Sequence, residues 1–419
     1  MAKFPDQPAC WFMKREITFK ELRECVHKFA TFLQQNGLEK GDVVAINLPN
    51  CPQYLIAHFG TLLAGGVASG CSFLLSEEEI AYQLNDSKAK VIVTLDAIYE
   101  KVLEKILDKV PNLEIIISMN ISEYMGLSKF VVFLGKLLKK IPKGKVKPFP
   151  GKKVILFQDV MNTIIDVKEV SIDVNNDLAL LQYTGGTTGY PKGTELTHAN
   201  IISNITQIRN WVTVEVGKDI FLSAFPYFHL AGLAFCMVSV WVSDPQVLIA
   251  NPRDTDHLIE EMIDKKPTII CNVPTLYLMI MNNPKRKTIP KSVLDNVKIY
   301  VSGAAPFPAE AIIDYEKNMA ARNKVLEVYG MTETSPILTM NPYLGKKKIG
   351  TVGLPVPDTD IRLVDIETGE QVGIGEPGEI ICRGPQVTRG YYEKPEANAQ
   401  TIIDGWFHTG DVGVIDEGS

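Results

Sequence analysis

The chain has 419 residues, 46% of them apolar and 22% charged, the balance of an ordinary globular protein, which excludes disorder, collagen-like repeats and a coiled coil. That length sets a prior of about three folding units and allows a large core without disulfides or metals. A net charge of −6 supplies no global basic field, so nucleic acid is excluded as a partner.

The first residues, MAKFPDQPACWFMKRE, contain no apolar run of signal-peptide type. Residues 17–36 place Leu22, Val26, Phe29 and Leu33 at helical spacing, with Gly37 as a stop. DVVAINL (42–48) reads as a buried strand, followed by a helix carrying Tyr54, Ala57, Phe59 and Leu62. A helix capped by Ser76 and opened by three glutamates comes next. Then come a strand over 90–95, a helix over 97–109 and a strand over 114–119. The alternation resumes over 219–330, where IFLSAF, QVLIAN, TIICNV, VKIYVSG and KVLEVYG read as strands. Such alternation predicts mostly parallel sheets covered on both faces. After residue 340 the texture turns glycine- and proline-rich with short alternating runs, DIRLVD and GEIICRG, the pattern of antiparallel β.

Two stretches lack charge, Val43 to Ser76 and Ile220 to Ser243. Prolines and glycines break both, and the apolar run from Leu230 to Val242 is shorter than the ~20 residues that span a bilayer. They read as buried helices. The cysteines at 10, 25, 51, 71, 236, 271 and 382 include no CxxC pair, so they are expected to be buried thiols in a reducing cytoplasm, not a zinc or redox site.

One segment is compositionally biased. From Tyr124 to Gln158 there is no acidic residue, while lysines stand at 129, 136, 139, 140, 143, 145, 147, 152 and 153. Phe130, Phe133, Leu134, Leu137, Leu138 and Ile141 follow helical spacing within it, and Pro142 and Gly144 are expected to end the helix. A lysine-rich amphipathic helix can lie on an anionic membrane surface. The alternative is a solvated helix packed on its own domain.

The densest chemistry lies in LQYTGGTTGYPKGTELTHANI (181–201). A strand-like run precedes it and a helix-like run follows, so Thr184, Gly185, Gly186, Thr187, Thr188, Gly189 and the residues up to Lys192 read as a loop between strand and helix. Glycines let backbone N–H groups approach phosphate, threonines add donors and the lysine adds charge. It is not a Walker A loop, because Pro191 precedes Lys192.

This run resembles the phosphate motif of the AMP-forming acyl-CoA synthetases, in the adenylate-forming superfamily. Further motifs agree in the family's order: FPYFHLAGL (225–233), VSGAAPFP (301–308), VYGMTETSP (328–336) and GWFHTGD (405–411). The resemblance covers essentially the whole chain. It implies two packed α/β subdomains, 1–180 with the basic insertion near 121–153 and 181–335 with the phosphate loop, and a small β-barrel over 336–419. It also implies that the family's small C-terminal domain, with a catalytic lysine, is missing here. The chain alone is then expected to bind ATP, release pyrophosphate weakly and make no acyl-CoA.

The resemblance assigns roles residue by residue. Thr184 to Gly189 and Lys192 hold ATP phosphates. Gly303, Ala304 and Ala305 line the adenine side. Tyr329 stacks on adenine, with Gly330, Met331 and Thr332 beside the AMP moiety. Thr332 touches phosphate and substrate carboxylate, Glu333 holds Mg²⁺ and Asp411 takes the ribose hydroxyls. His229 stands near the carboxylate and the acyl tunnel. Thr184, Lys192, His229, Thr332 and Glu333 form the catalytic set.

Coenzyme A is the expected co-substrate. Phe225 to Leu233 contains no acid, which disfavours an ammonium substrate and favours a hydrocarbon chain. The lysine-rich insertion resembles the long-chain fatty acid–CoA ligase subgroup. The reaction expected is fatty acid activation to acyl-AMP and then acyl-CoA, in the cytoplasm, with contact at the inner membrane face and a homodimer as partner expectations. A medium-chain or aryl acid–CoA ligase and a catalytically silent nucleotide- or acyl-binding domain remain the alternatives. Thr194-Glu195 departs from the family's apolar pair, with Glu195 expected to face solvent.

Overall fold

The computed structural model describes residues 4–184 and 190–417. Its buried strands are apolar on both faces, and alternate residues enter different cores. In Val43–Asn47, Val44 and Ile46 face a central core while Val43 and Ala45 face an outer one. In Ile299–Ser302, Ile299 and Val301 face the same central core and Tyr300 the opposite outer one. Two sheets therefore enclose one shared interior, and each has a second core on its far side.

The first sheet has seven strands in the order Lys153–Leu156, Ile115–Met119, Val91–Leu95, Val43–Asn47, Val67–Gly70, Leu178–Thr184 and Lys192–Thr197. All neighbours are parallel except the last pair. The second has nine, centred on the parallel strands Gln246–Leu248, Phe221–Ser223, Ile269–Asn272, Ile299–Ser302 and Val325–Tyr329. Sheet membership does not follow chain order. Pro8–Phe12 and Arg15–Thr18 close one edge of the second sheet, and Thr339–Met340 with Leu354–Pro355 the other. Helices Phe19–Gln35, Pro52–Leu63, His198–Val212 and Leu230–Trp241 send their buried faces into the shared core. Asp360–Val364, Pro377–Arg383, Trp406–Val414 and Ile402–Ile403 form a small curled antiparallel sheet.

Two helices differ from expectation. The helix expected over 97–109 is a helix Asp96–Lys101 followed by two 3₁₀ turns, because Val102 leaves helical geometry. The lysine-rich helix is Lys129–Leu137, ended by a left-handed Lys139 before Pro142 is reached. All seven cysteines are free, and six are buried. Burial pushes the Cys51, Cys71, Cys236 and Cys271 thiols up to about 12, so they stay protonated and inert. The fold matches the expected α/β class.

A buried polar cluster closes the amino ends of the second sheet's strands. Asp219 accepts the Thr268 hydroxyl (2.7 Å) and pairs with Lys298 (2.8 Å), and its N–H donates to Asp244 Oδ1 (3.2 Å). Burial pushes the Asp244 carboxyl up to about 7. The folded chain then holds a proton between about pH 4 and 7 that the unfolded chain releases, so this contribution to stability is full at low pH and lost as pH rises through 7. Asp244→Asn is expected to remove the loss, raising stability by on the order of 2–4 kcal/mol above pH ~8 and little near pH ~4. Thermal unfolding across that range checks it, and equal gains at both ends would contradict it.

Candidate active site

The two large sheets present the carboxyl ends of their strands to a common cleft, the usual ligand side of open α/β sheets. Thr184 ends the strand Leu178–Thr184 of the first sheet. Gly303 follows Ile299–Ser302, and Tyr329 ends Val325–Tyr329. The antiparallel sheet contributes Asp411 from Trp406–Val414. Three sheets thus bring the sequence motifs together.

The glycine-threonine run does not join a strand to a helix. Lys192 opens the strand Lys192–Thr197 and pairs with Thr184, so the run closes a β-hairpin and the helix starts only at His198. In KGTELT only Lys192 and Glu195 are half-buried and the other four residues are buried, and the two threonines give it some of the β-branched content of a strand. Gly185, Gly186, Thr187, Thr188 and Gly189 lie outside the described residues.

Glu333 sits in a single 3₁₀ turn, Thr332–Thr334, and is 7% exposed. Its Oε1 accepts the Tyr391 hydroxyl at 2.8 Å. The Lys192 ammonium stands 4.4 Å from the centre of the same Tyr391 ring, a cation–π contact. Burial raises the Glu333 carboxyl above the usual range, and the Tyr391 hydrogen bond and the Lys192 charge oppose that. Among the described residues no three His, Cys, Asp or Glu side chains cluster as a metal site. One oriented carboxylate nevertheless fits Mg²⁺, which is commonly held by one or two carboxylates with the remaining positions on phosphate and water.

Tyr329 donates its hydroxyl to Asp411 Oδ2 at 2.8 Å. This bond orients an exposed carboxylate that can still accept two vicinal hydroxyls. Gly303 and Ala304 line the cavity together with Tyr329, on the neighbouring strand end, Ala304 at a left-handed φ of 64°, while Ala305 is exposed beside them. Gly330 is required by space. A Cβ there would lie 2.0 Å from Pro336 O, so any side chain would displace the Tyr329–Glu333 segment.

His229 caps the helix Leu230–Trp241 from extended backbone and packs on Phe228 (4.7 Å between ring centres). Its surroundings lower its pKa, which makes it a neutral ring near pH 7. The aromatic run around it is fastened to the first sheet by residues that sequence reading did not single out. Asn50 donates to Phe225 O (2.9 Å) and accepts Tyr227 N–H (2.8 Å), Tyr54 donates to Tyr227 O (2.8 Å) and Gln182 to Phe228 O (2.6 Å).

Behind His229 opens a cavity of about 510 Å³, within the range of small-molecule sites. It runs along the shared-core face of the second sheet, past Val301 and Ile299 and past Cys271 and Ile269, against Ala231, Ala234 and Val238 of the facing helix. At one end are Gly303, Tyr329, Met331 and Thr332; among the described residues no charged side chain lines it.

A strap over 388–394 binds this site together. Thr388 N–H donates to Glu333 O (2.8 Å) and its hydroxyl to Glu195 O (2.6 Å). Glu195 N–H donates to Gly390 O (3.0 Å), and Tyr392 N–H to Gly193 O (2.8 Å). The strap extends the first sheet along its edge strand. Glu195 is half-buried at the surface, where its carboxylate pairs with the exposed Arg389 at 2.7 Å. Tyr391 was missed in sequence, where the only local cue is a glycine followed by two tyrosines.

Comparison with known proteins gives four further findings. A family model described as AMP-binding enzyme matches residues 1–392. The long-chain-fatty-acid–CoA ligase of Bacillus subtilis (strain 168) is 36% identical over 422 residues, covering 99% of this chain and 73% of that protein. Among solved structures, the anthranilate CoA ligase AuaEII in complex with anthranoyl-AMP superposes with a TM-score of 0.87 at 22% identity, over 100% of this chain and 74% of that one. ATP-bound MatB from Rhodopseudomonas palustris does so with a TM-score of 0.80 at 26% identity, over 99% and 74%.

Proposed function

Because the chain belongs to the AMP-binding enzyme family, we propose that it activates a long-chain fatty acid with ATP and transfers the acyl group to coenzyme A. The observation that carries this reading is the uncharged apolar cavity that opens onto Thr332, Tyr329 and Gly303. A hydrocarbon chain gains about 0.8 kcal/mol for each methylene taken from water, and the described lining residues offer an ammonium no countercharge. In the first step a carboxylate oxygen bonds to the α-phosphorus as the bond to pyrophosphate breaks. In the second, the CoA thiol sulfur bonds to the acyl carbon and AMP leaves. The curated relative is a long-chain-fatty-acid–CoA ligase by name.

The chain's own groups suit the first step. Lys192 and Thr184 flank the phosphates, Asp411 and Tyr329 orient the nucleoside, and Thr332 and the neutral His229 stand where the carboxylate meets the α-phosphate. Glu333 would hold Mg²⁺, which when bound neutralises phosphate oxygens. The rest is positioning and charge placement. Pyrophosphate release measured with acids of increasing chain length tests the substrate class; a preference for aryl or short acids over long ones would overturn it.

We further propose that the helix Lys129–Leu137 and the turn after it rest on an anionic membrane surface. No helix among the described residues is long and apolar enough to cross a membrane. Yet Phe130, Phe133, Leu137 and Leu138 are 72%, 64%, 62% and 59% exposed, while Ile141, expected on the same stripe, is buried. The segment is fixed at its end: Asn120 donates to Pro142 O (3.0 Å), and a Cβ at Gly144 would lie 2.0 Å from Asp96 O. Lys136, Lys139, Lys140 and Lys143 carry the complementary charge. Each lysine near an anionic surface contributes about 1 kcal/mol. Changing all four to glutamine is expected to weaken binding to anionic vesicles by at least tenfold, with neutral vesicles unaffected. Equal co-sedimentation before and after would return the helix to solvent.

A further inference from the structure

Asp86 ends the helix Glu77–Asp86. A carboxylate at a helix C-terminus opposes the helix dipole, so its position calls for another reason. Its side chain is 11% exposed and gathers two partners from distant parts of the chain and a third from the preceding turn of its own helix. Oδ2 accepts the Tyr183 hydroxyl at 2.8 Å. Oδ1 accepts Lys394 Nζ at 2.6 Å. The Tyr82 hydroxyl lies 3.4 Å from Oδ1 and donates to Pro191 O at 3.0 Å. The Tyr82 ring also stacks on Tyr190, with ring centres 4.8 Å apart.

These partners are the flanks of the phosphate run and the strap. Tyr183 immediately precedes Thr184, Tyr190 and Pro191 immediately precede Lys192, and Lys394 lies three residues beyond Tyr391. One half-buried carboxylate thus fixes where the hairpin leaves the first sheet, where it returns, and where the strap carrying the Lys192 and Glu333 contacts is tied down. Resting on the reading of this hairpin as a phosphate site, we propose that Asp86 is a positioning residue for the triphosphate. It touches no ligand itself and acts through Tyr183, Tyr82 and Lys394.

The test is calorimetric titration of the full chain with ATP and with AMP, both in EDTA so that no metal enters the difference. AMP shares the adenine and ribose contacts but lacks the β- and γ-phosphates. Asp86→Ala is expected to weaken ATP by about 10- to 100-fold and AMP by less than about threefold. Lys394→Met should reproduce part of the loss, and the double variant should be no worse than Asp86→Ala alone, because the two act as one unit. Should Asp86→Ala fail to fold, Tyr183→Phe, which removes one hydroxyl, carries the same comparison. An unchanged ATP-to-AMP affinity ratio in the folded variants overturns the proposal, and so does an equal loss for both nucleotides, the mark of a merely structural role. A wild-type chain that binds ATP no more tightly than AMP overturns the phosphate-site reading itself.

Discussion

Replacing Glu333 by glutamine is expected to slow acid-dependent pyrophosphate release by ~10²–10³, the scale of losing one preorganised charge contact in a reaction centre, while leaving the fold intact. The two effects should separate. A glutamine Oε1 can still accept the Tyr391 hydroxyl now 2.8 Å from Glu333, and Thr388 still holds the backbone at 333. The buried carboxylate is destabilised by its surroundings, so an amide of the same shape should be at least as stable. The variant should therefore show an unfolding temperature equal to or above wild type alongside the loss in rate. Normal turnover in a folded Glu333→Gln protein would remove Glu333 from the metal role. Loss of both rate and stability would point to a packing defect instead.

Ala234→Phe is expected to convert a long-chain preference into a short-chain one. Ala234 faces the cavity from the helix Leu230–Trp241, one turn beyond Leu230 and Ala231, and a benzyl side chain there would occupy part of the about 510 Å³. Each excluded methylene forfeits about 0.8 kcal/mol, so keeping out about four costs roughly 3 kcal/mol, or more than a hundredfold in relative affinity. The ratio of kcat/KM for a sixteen-carbon acid to that for an eight-carbon acid should fall by about that factor, with ATP binding unchanged. A ratio within twofold of wild type would mean that the acyl chain lies elsewhere.

Much of this was readable from residues alone. Strands such as Val43–Asn47 and Ile299–Ser302 announce themselves because both of their faces are buried, so they appear as unbroken apolar runs between turn residues. The site motifs were readable because phosphate and ribose recognition demand uncommon local combinations of glycine, hydroxyl and acid. What local pattern could not give was anything set by contacts distant in sequence. Tyr391 reaches Glu333 across 58 residues and Asp86 reaches Lys394 across 308. The hairpin Pro8–Thr18 joins the second sheet through a parallel pairing of Pro8–Phe12 with Gln246–Leu248. The one local clue to Asp86 was an acid at the wrong end of a helix. The mistaken strand-to-helix reading after Lys192 arose because KGTELT is short and its helical continuation is stronger.

The strap over 388–394 also dates the site within the life of the chain. Without it, Lys192–Thr197 is an edge strand with open N–H and C=O groups at Gly193 and Glu195, the positions that Gly390 and Tyr392 later occupy. Such an edge is a template for pairing with other chains. At a ribosomal rate of about 5–20 residues per second, the stretch from Lys192 to Tyr391 takes on the order of 10–40 s to emerge. Until the strap emerges, that margin has no strand to cover it, and Lys192 lacks the tyrosine that joins it to Glu333. The protein gains this part of its nucleotide site only once the strap has emerged, because the same seven residues that seal the margin also join Lys192 to Glu333.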